Sequence, residues 1–400
     1  MSTRVVVWNV NRFSINTVND SSGGTFLEQL DSISQSALNH WFIENIARAT
    51  DGNGNSADIL VVIEVQSSRS VLGSLVGASG AQGVLFLLNS LRENVAADWC
   101  VVPPLKLVGL NDAGEAANYT EGIAVYFRST KLNFTGPYIW PTIGNVALPP
   151  ALGIAGPYPA PYANALPANN YFAGQYEFFQ NPANRTGDFN YISGNYRRPF
   201  LTTFTEVVGG RVIKLMSVHP SPNSSKVQVV NSISDIVEIQ PSVNPQVVMV
   251  AGDFNLNTIT TYNFFTGKST GGDANQGYYG LRQIFNQRIS STNRDTNGVT
   301  AIYRIGDATP AAYLTRNGID NIFLRYDGGL AAPVPNNPRI INPVTGTDEY
   351  NLEMMQSIAT INSSYMTTVA RENAFRKDVN YGHIAHFAGV SDHLPLVIDI

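Results

Sequence analysis

A single cysteine, Cys100, among 400 residues excludes any internal disulfide, so burial and hydrogen bonding must hold the fold. It sits in the apolar stretch DWCVVPPL and reads as a packing residue. Charge is also scarce, at 14% of residues against roughly 25% in an average soluble protein. The net charge of -5 excludes a general basic field that would draw in nucleic acid. Lysine is the rarer cation, with 6 Lys against 19 Arg, and Arg suits bidentate phosphate contacts. No apolar run approaches the ~18 residues needed to span a bilayer, which predicts no stable membrane insertion. No charged n-region followed by an apolar h-region opens the chain. The expectation is a cytoplasmic protein or one released by a leaderless route, and a monomer.

What is present points to a large core cut by many turns: 44% hydrophobic residues, with 34 Gly and 22 Pro. Short runs rich in Val and Ile recur at 5–10, 58–65, 122–127, 200–207, 212–218, 246–252, 318–324 and 394–400, and their length and β-branching predict strands. Apolar stripes predict helices over 36–49 and 224–239. Strands alternating with helices, plus a hairpin of 200–207 with 212–218, predict an α/β sandwich. Two loop-rich stretches, 136–196 and 328–390, interrupt this rhythm.

The tetrapeptide GDFN occurs twice, at 187–190 and at 252–255. The first copy follows NPANRT inside the Pro/Asn-rich stretch and reads as a turn, leaving Asp188 without a chemical role. The second follows VVMVA, so Asp253 and Asn255 lie at a strand end, two apart, where both can face one ligand. Other strands also end in reactive polar groups: Asn9 after VVVW, Glu64 after ILVVI, His219 after IKLMSV, and Asp320 within GIDNIFL. Asp392-His393 stands just before the last strand. Ligands in α/β folds gather at such strand ends. A carboxylate in a run as apolar as VVIEV costs several kcal/mol unless a cation or hydrogen bonds offset it, and a divalent ion would do so.

The ordered segments WNVN, IEVQ, TEGIAVYF, SVHPSP, GDFN, GIDN and SDHLPL, spanning residues 8 to 396, resemble the endonuclease/exonuclease/phosphatase superfamily, and within it the deoxyribonuclease I-like nucleases. The resemblance implies two packed mixed β-sheets flanked by helices, a four-layer sandwich. Its site draws on both ends of the chain. It therefore implies one domain over 1–400, with insertions at about 136–196 and 328–390. It further implies Mg²⁺, with Mn²⁺ or Ca²⁺ as substitutes, held by Asn9, Glu64 and Asp392. His219 would be oriented by Glu121 and His393 by Asp320, supplying a general acid and a general base, which is which left open. Asp253 and Asn255 would orient the attacking water or a phosphate oxygen, and Tyr119 and Arg198 would contact substrate. Gln66 departs from the pattern, standing where such nucleases carry an Arg that reads the minor groove.

The activity so implied is hydrolysis of phosphodiester bonds, with DNA as substrate and little sequence preference. Two other readings stay open. One is a sphingomyelinase or phosphoinositide phosphatase, for which 145–165 is the apolar stretch that would meet a lipid surface. The other is a non-catalytic, toxin-like binding subunit. Among weaker candidates, His383 and His386 have i,i+3 spacing without an evident third ligand and read as structural. The loop tyrosines, Tyr162 among them, read as packing residues rather than base-stacking platforms.

Overall fold

The computed structural model describes residues 2–15, 56–67, 75–107, 120–136, 161–166, 199–220, 239–254, 287–288, 320–333, 339–340 and 395–400. The Val/Ile-rich runs form the strands expected of them. These are β1 (Arg4–Phe13), β2 (Ile59–Ser67), β4 (Thr120–Arg128), β6 (Phe200–Glu206), β7 (Val212–Val218), β8 (Gln246–Asp253), β10 (Asp320–Asp327) and β12 (Leu396–Asp399). Four further strands were not expected: β3 (Trp99–Val102), β5 (Leu132–Gly136), β9 (Gln287–Arg288) and β11 (Arg339–Ile340). So was one helix, α1 (Ala78–Asn94). Cys100 is buried in β3, as its apolar setting indicated. The helices expected over 36–49 and 224–239 lie outside the described residues, apart from Ile239.

Among the described residues, the strands build two mixed sheets of six, ordered β11-β12-β1-β2-β4-β3 and β5-β6-β7-β8-β10-β9. Each sheet has one parallel pair, β1 with β2 and β7 with β8. Parallel neighbours need both faces covered, which explains the apolar runs VVVW, ILVVI and VVMVA of β1, β2 and β8, while in β7 the run is interrupted by Lys214. β6 and β7 form the expected antiparallel hairpin. The first and last strands are antiparallel neighbours, with Arg4 opposite Asp399 in register and in an ion pair at 2.7 Å.

The sheets pack face to face, with β1 against β8 and β10 against β12. Phe127 of one sheet meets Phe204 of the other at 5.1 Å between ring centres, and Phe134 stacks beside Phe204 at 5.8 Å. α1 covers the outer face of the β1-containing sheet. The Tyr126 hydroxyl donates to the Val84 carbonyl at 3.0 Å, and that of Tyr162 donates to the Val76 carbonyl at 2.8 Å. Tyr162 is therefore a packing residue, as expected. Among the described residues, no helix is long and apolar enough to cross a membrane.

Lys106 belongs to a short run that continues the β3 edge and bridges to Gly122. It is 2% exposed, and burial pushes its ammonium down to about 8 from the ordinary 10.5. A lysine held below its unfolded value makes the unfolded chain bind more protons between the two values, so stability rises with pH across that window. Urea denaturation should show stability climbing by about 1–3 kcal/mol between pH 8 and 10.5, and Lys106→Met should flatten that climb.

Candidate active site

In both sheets the parallel strands end at the same pole, and the expected chemistry-bearing residues stand there. β1 and β2 bring Asn9 and Glu64. β7 and β8 bring His219, just past Val218, and Asp253 as the last residue of its strand. The antiparallel neighbours β4 and β10 begin at this pole and contribute Glu121 and Asp320. All but Glu64 are buried.

The side chains meet across the two sheets. The Asn9 amide nitrogen donates to Glu64 Oε1 at 3.0 Å and to Asp253 Oδ2 at 3.1 Å. His219 Nδ1 donates to Glu121 Oε1 at 2.7 Å. The other ring nitrogen, Nε2, faces Glu64 Oε1 at 3.5 Å and Asp253 Oδ2 at 3.4 Å. Asp320 is the register partner of Asp253 on the adjacent antiparallel strand, so the two buried carboxylates share one face. Six segments distant in sequence thus supply one polar cluster inside an apolar sandwich.

Glu64 occupies this site through a break in its strand. Asn9 pairs with Ile63 in register, so in an unbroken strand Glu64 would point to the opposite face. Instead β2 bulges: Ile63 and Glu64 together span the step that Ile123 alone takes on β4. The pairing with β1 is also irregular between Asn9 and Phe13. Glu64 has φ 66°, a left-handed conformation that non-glycine residues adopt at a cost of about 1–3 kcal/mol. The bulge re-aims its carboxylate onto the Asn9 amide. Sequence alone gave no sign of it.

The donor set suits a hard cation. Glu64, Glu121 and His219 offer ligand atoms all within 4.8 Å of one another. The carboxylates of Glu64 and Asp253 converge on one amide nitrogen of Asn9, a partly positive group standing where a cation would neutralise both. Turning the Asn9 amide over would present its Oδ1 to the same point, giving three oxygen donors of the kind Mg²⁺ prefers. His219 is committed to Glu121 through Nδ1, which suits it to proton transfer rather than to holding the ion.

The structure therefore brings Asn9, Glu64, Glu121, His219, Asp253 and Asp320 to one pole. Asn255, Asp392, His393, Tyr119 and Arg198 lie outside the described residues, as do Asp188 and the HIAH segment.

No family model and no curated protein sequence matches the chain. Solved structures do. An endonuclease/exonuclease/phosphatase family protein from Leptotrichia buccalis C-1013-b is similar over 99% of this chain and 98% of its own, at 13% identity and a TM-score of 0.42. D. rerio TDP2, solved with a single-strand DNA product, is similar over 100% and 98%, at 11% identity and a TM-score of 0.41. Sphingomyelinase C from Streptomyces griseocarneus is similar over 100% and 99%, also at 11% and 0.41.

The glycine of the second GDFN has a structural task beside its aspartate. Gly252 has φ 149°, and a Cβ there would lie 2.0 Å from the Val218 carbonyl oxygen, one residue before His219. No side chain fits, because β7 and β8 must close tightly to bring His219 and Asp253 together. Gly252→Ala should destabilise the fold by about 2 kcal/mol or more, read from the shift of the chemical denaturation midpoint.

Proposed function

We propose that this chain is a divalent-metal-dependent phosphodiesterase and, within that class, an endonuclease that hydrolyses DNA with little sequence preference. One observation carries the reading. His219 is fixed by a buried Glu121 on one ring nitrogen, while the other faces the carboxylates of Glu64 and Asp253. Binding alone has no need of such a charged, costly arrangement in a buried position. Proton transfer beside an anion-neutralising centre does need it.

Glu64 and Asn9 are the residues that would hold the ion, with Asp392 joining from near the carboxyl end and Asp253 bordering the same point. When bound there, a divalent ion supplies charge neutralisation for the phosphoryl oxygens and polarises the scissile group. Glu121 fixes His219 with its proton on Nδ1 and stabilises the imidazolium once Nε2 takes a second proton. Nε2 is then the atom that accepts a proton from the attacking water or returns one to the leaving oxygen. Hydrolysis needs both transfers, and the Asp320–His393 pair would supply the partner role. Asp253 and Asn255 would hold the water or a phosphoryl oxygen in line. Tyr119 and Arg198 would grip the substrate backbone, as in the nucleases whose motifs the sequence resembles.

The test uses supercoiled plasmid and, separately, sphingomyelin and phosphoinositide vesicles, each with Mg²⁺ or with EDTA. Plasmid nicking that EDTA abolishes is the expected result. His219→Ala should slow it by about 100- to 10,000-fold, and Glu121→Gln by less, since it leaves the imidazole in place. Lipid turnover without nicking would move the substrate to a lipid phosphodiester. No turnover of any of the three would overturn the enzymatic reading.

Metal binding has its own expected signature. Mg²⁺ at about 100 times its dissociation constant should stabilise the protein by about 2.7 kcal/mol, and Glu64→Gln should abolish most of that gain. Thermal denaturation with and without EDTA measures it.

A further inference from the structure

We infer that Gly80 and Gly83, on the inner face of α1, are positioning residues that hold the left-handed Glu64 and its neighbours in their working geometry. The inference rests on the reading of Glu64 as a metal-holding residue, and adds a cause for its placement outside the site itself.

α1 opens with the sequence ASGAQG, a poor start for a helix, because each glycine weakens a helix relative to alanine. The contacts explain why no side chain stands there. A Cβ on Gly80 would lie 1.7 Å from the carbonyl oxygen of Gln66, two residues past Glu64. A Cβ on Gly83 would lie 2.4 Å from the carbonyl carbon of Ser14 and 2.7 Å from the nitrogen of Ile15, directly beyond β1. In both cases the obstacle is backbone, which cannot swing aside as a flexible side chain would. One turn of one helix therefore lies directly against the ends of the two parallel strands that carry Asn9 and Glu64.

What it touches on β2 lies just past the bulge, where regular pairing with β4 has resumed. Gln66 is the register partner of Glu121 on β4, so its backbone also sets the height of the carboxylate that orients His219. The helix approaches from the outer face, opposite the face on which Glu64, Glu121 and Asn9 meet the second sheet. Pushing Gln66 inward gives the strand two ways to shorten: slip in register, or kink. The kink is what the structure contains, as the bulge at Ile63 and Glu64 with φ 66° at Glu64. Slippage would turn every following side chain to the wrong face and expose a buried run. The helix thus keeps a carboxylate in a conformation that its own backbone disfavours, and the aim of that carboxylate follows from the helix.

Two experiments test this, one without metal. In the metal-free protein, Glu64→Gly should melt about 1–4 °C above Glu64→Ala. Both variants remove the carboxylate and its hydrogen bond to Asn9, and only glycine relieves the left-handed backbone. Ordinarily glycine in a strand is the less stable choice, so Glu64→Gly melting at or below Glu64→Ala would overturn the inference. The second experiment measures Mn²⁺ affinity by calorimetry. Gly80→Ala should weaken it by about 10–100-fold, the range of changes behind a metal ligand. Leu87→Ala, in the core-facing part of the same helix, should cost stability yet keep affinity within about 3-fold of the unmodified chain.

Equal affinity in Gly80→Ala and the unmodified chain overturns the inference while leaving the metal site intact. Loss of affinity in both Gly80→Ala and Leu87→Ala also overturns it, because any destabilised helix would then suffice. An unmodified chain that binds no Mn²⁺ sinks the proposed function instead, and the comparison at Glu64 still decides whether the backbone is under load. Should Gly80→Ala fail to fold, Gly83→Ala replaces it, with the same expected direction.

Discussion

The amide of Asn9 donates to carboxylates from two different sheets, Glu64 beside it and Asp253 across the interface, and this shared donor ties the two halves of the sandwich at one pole. Burying two carboxylates side by side costs several kcal/mol unless each finds a donor or a cation. The cost explains much of the architecture. Parallel strands deliver polar residues to a common edge, while antiparallel neighbours begin where those strands stop. Glu121 and Asp320 arrive in this way from strands running opposite to their neighbours. The opposite pole has a different character. There Arg4 pairs with Asp399, Lys131 with Asp58, and Arg211 with Glu206, so charges are matched within the protein. Among the described residues, the first pole gathers the carboxylates of Glu64, Glu121, Asp253 and Asp320 near His219, an acidic surplus that suits the proposed cation.

Much of this was legible in the sequence because it depends on local chemistry. Strands buried on both faces are largely apolar, so β1, β2 and β8 stood out as Val-rich runs, and a polar residue following such a run was conspicuous. The distinction between the two GDFN copies followed from what precedes each, and Asp253 does sit at a strand end beside His219. The pairing of Glu121 with His219, implied by resemblance, appears as a 2.7 Å hydrogen bond.

Other features had no local signal. β3 and β5 are short edge strands of 4 and 5 residues whose identity depends on having a neighbour to pair with. The bulge at Glu64 is a relation between three strands and leaves no trace in any one of them. α1 was hidden for a related reason. Its Gly80 and Gly83 lower the helical character of the segment, and they are there because tertiary contact leaves no room for a Cβ. The same residues that obscure the helix in the sequence are what allow it to touch the strand ends.

The bulge also bears on why a glutamate, and not a glycine, occupies a left-handed position. Selection for stability alone would place glycine there, because only glycine adopts φ near 66° without strain. A carboxylate retained against that preference must return something that glycine cannot. Within the fold its carboxylate meets the Asn9 amide at 3.0 Å and His219 Nε2 at 3.5 Å. A hydrogen bond with one charged partner is worth about 1.5–3 kcal/mol, the same order as the backbone strain. The proposed cation, shared with Asp253, is a ligand whose chemistry both carboxylates fit.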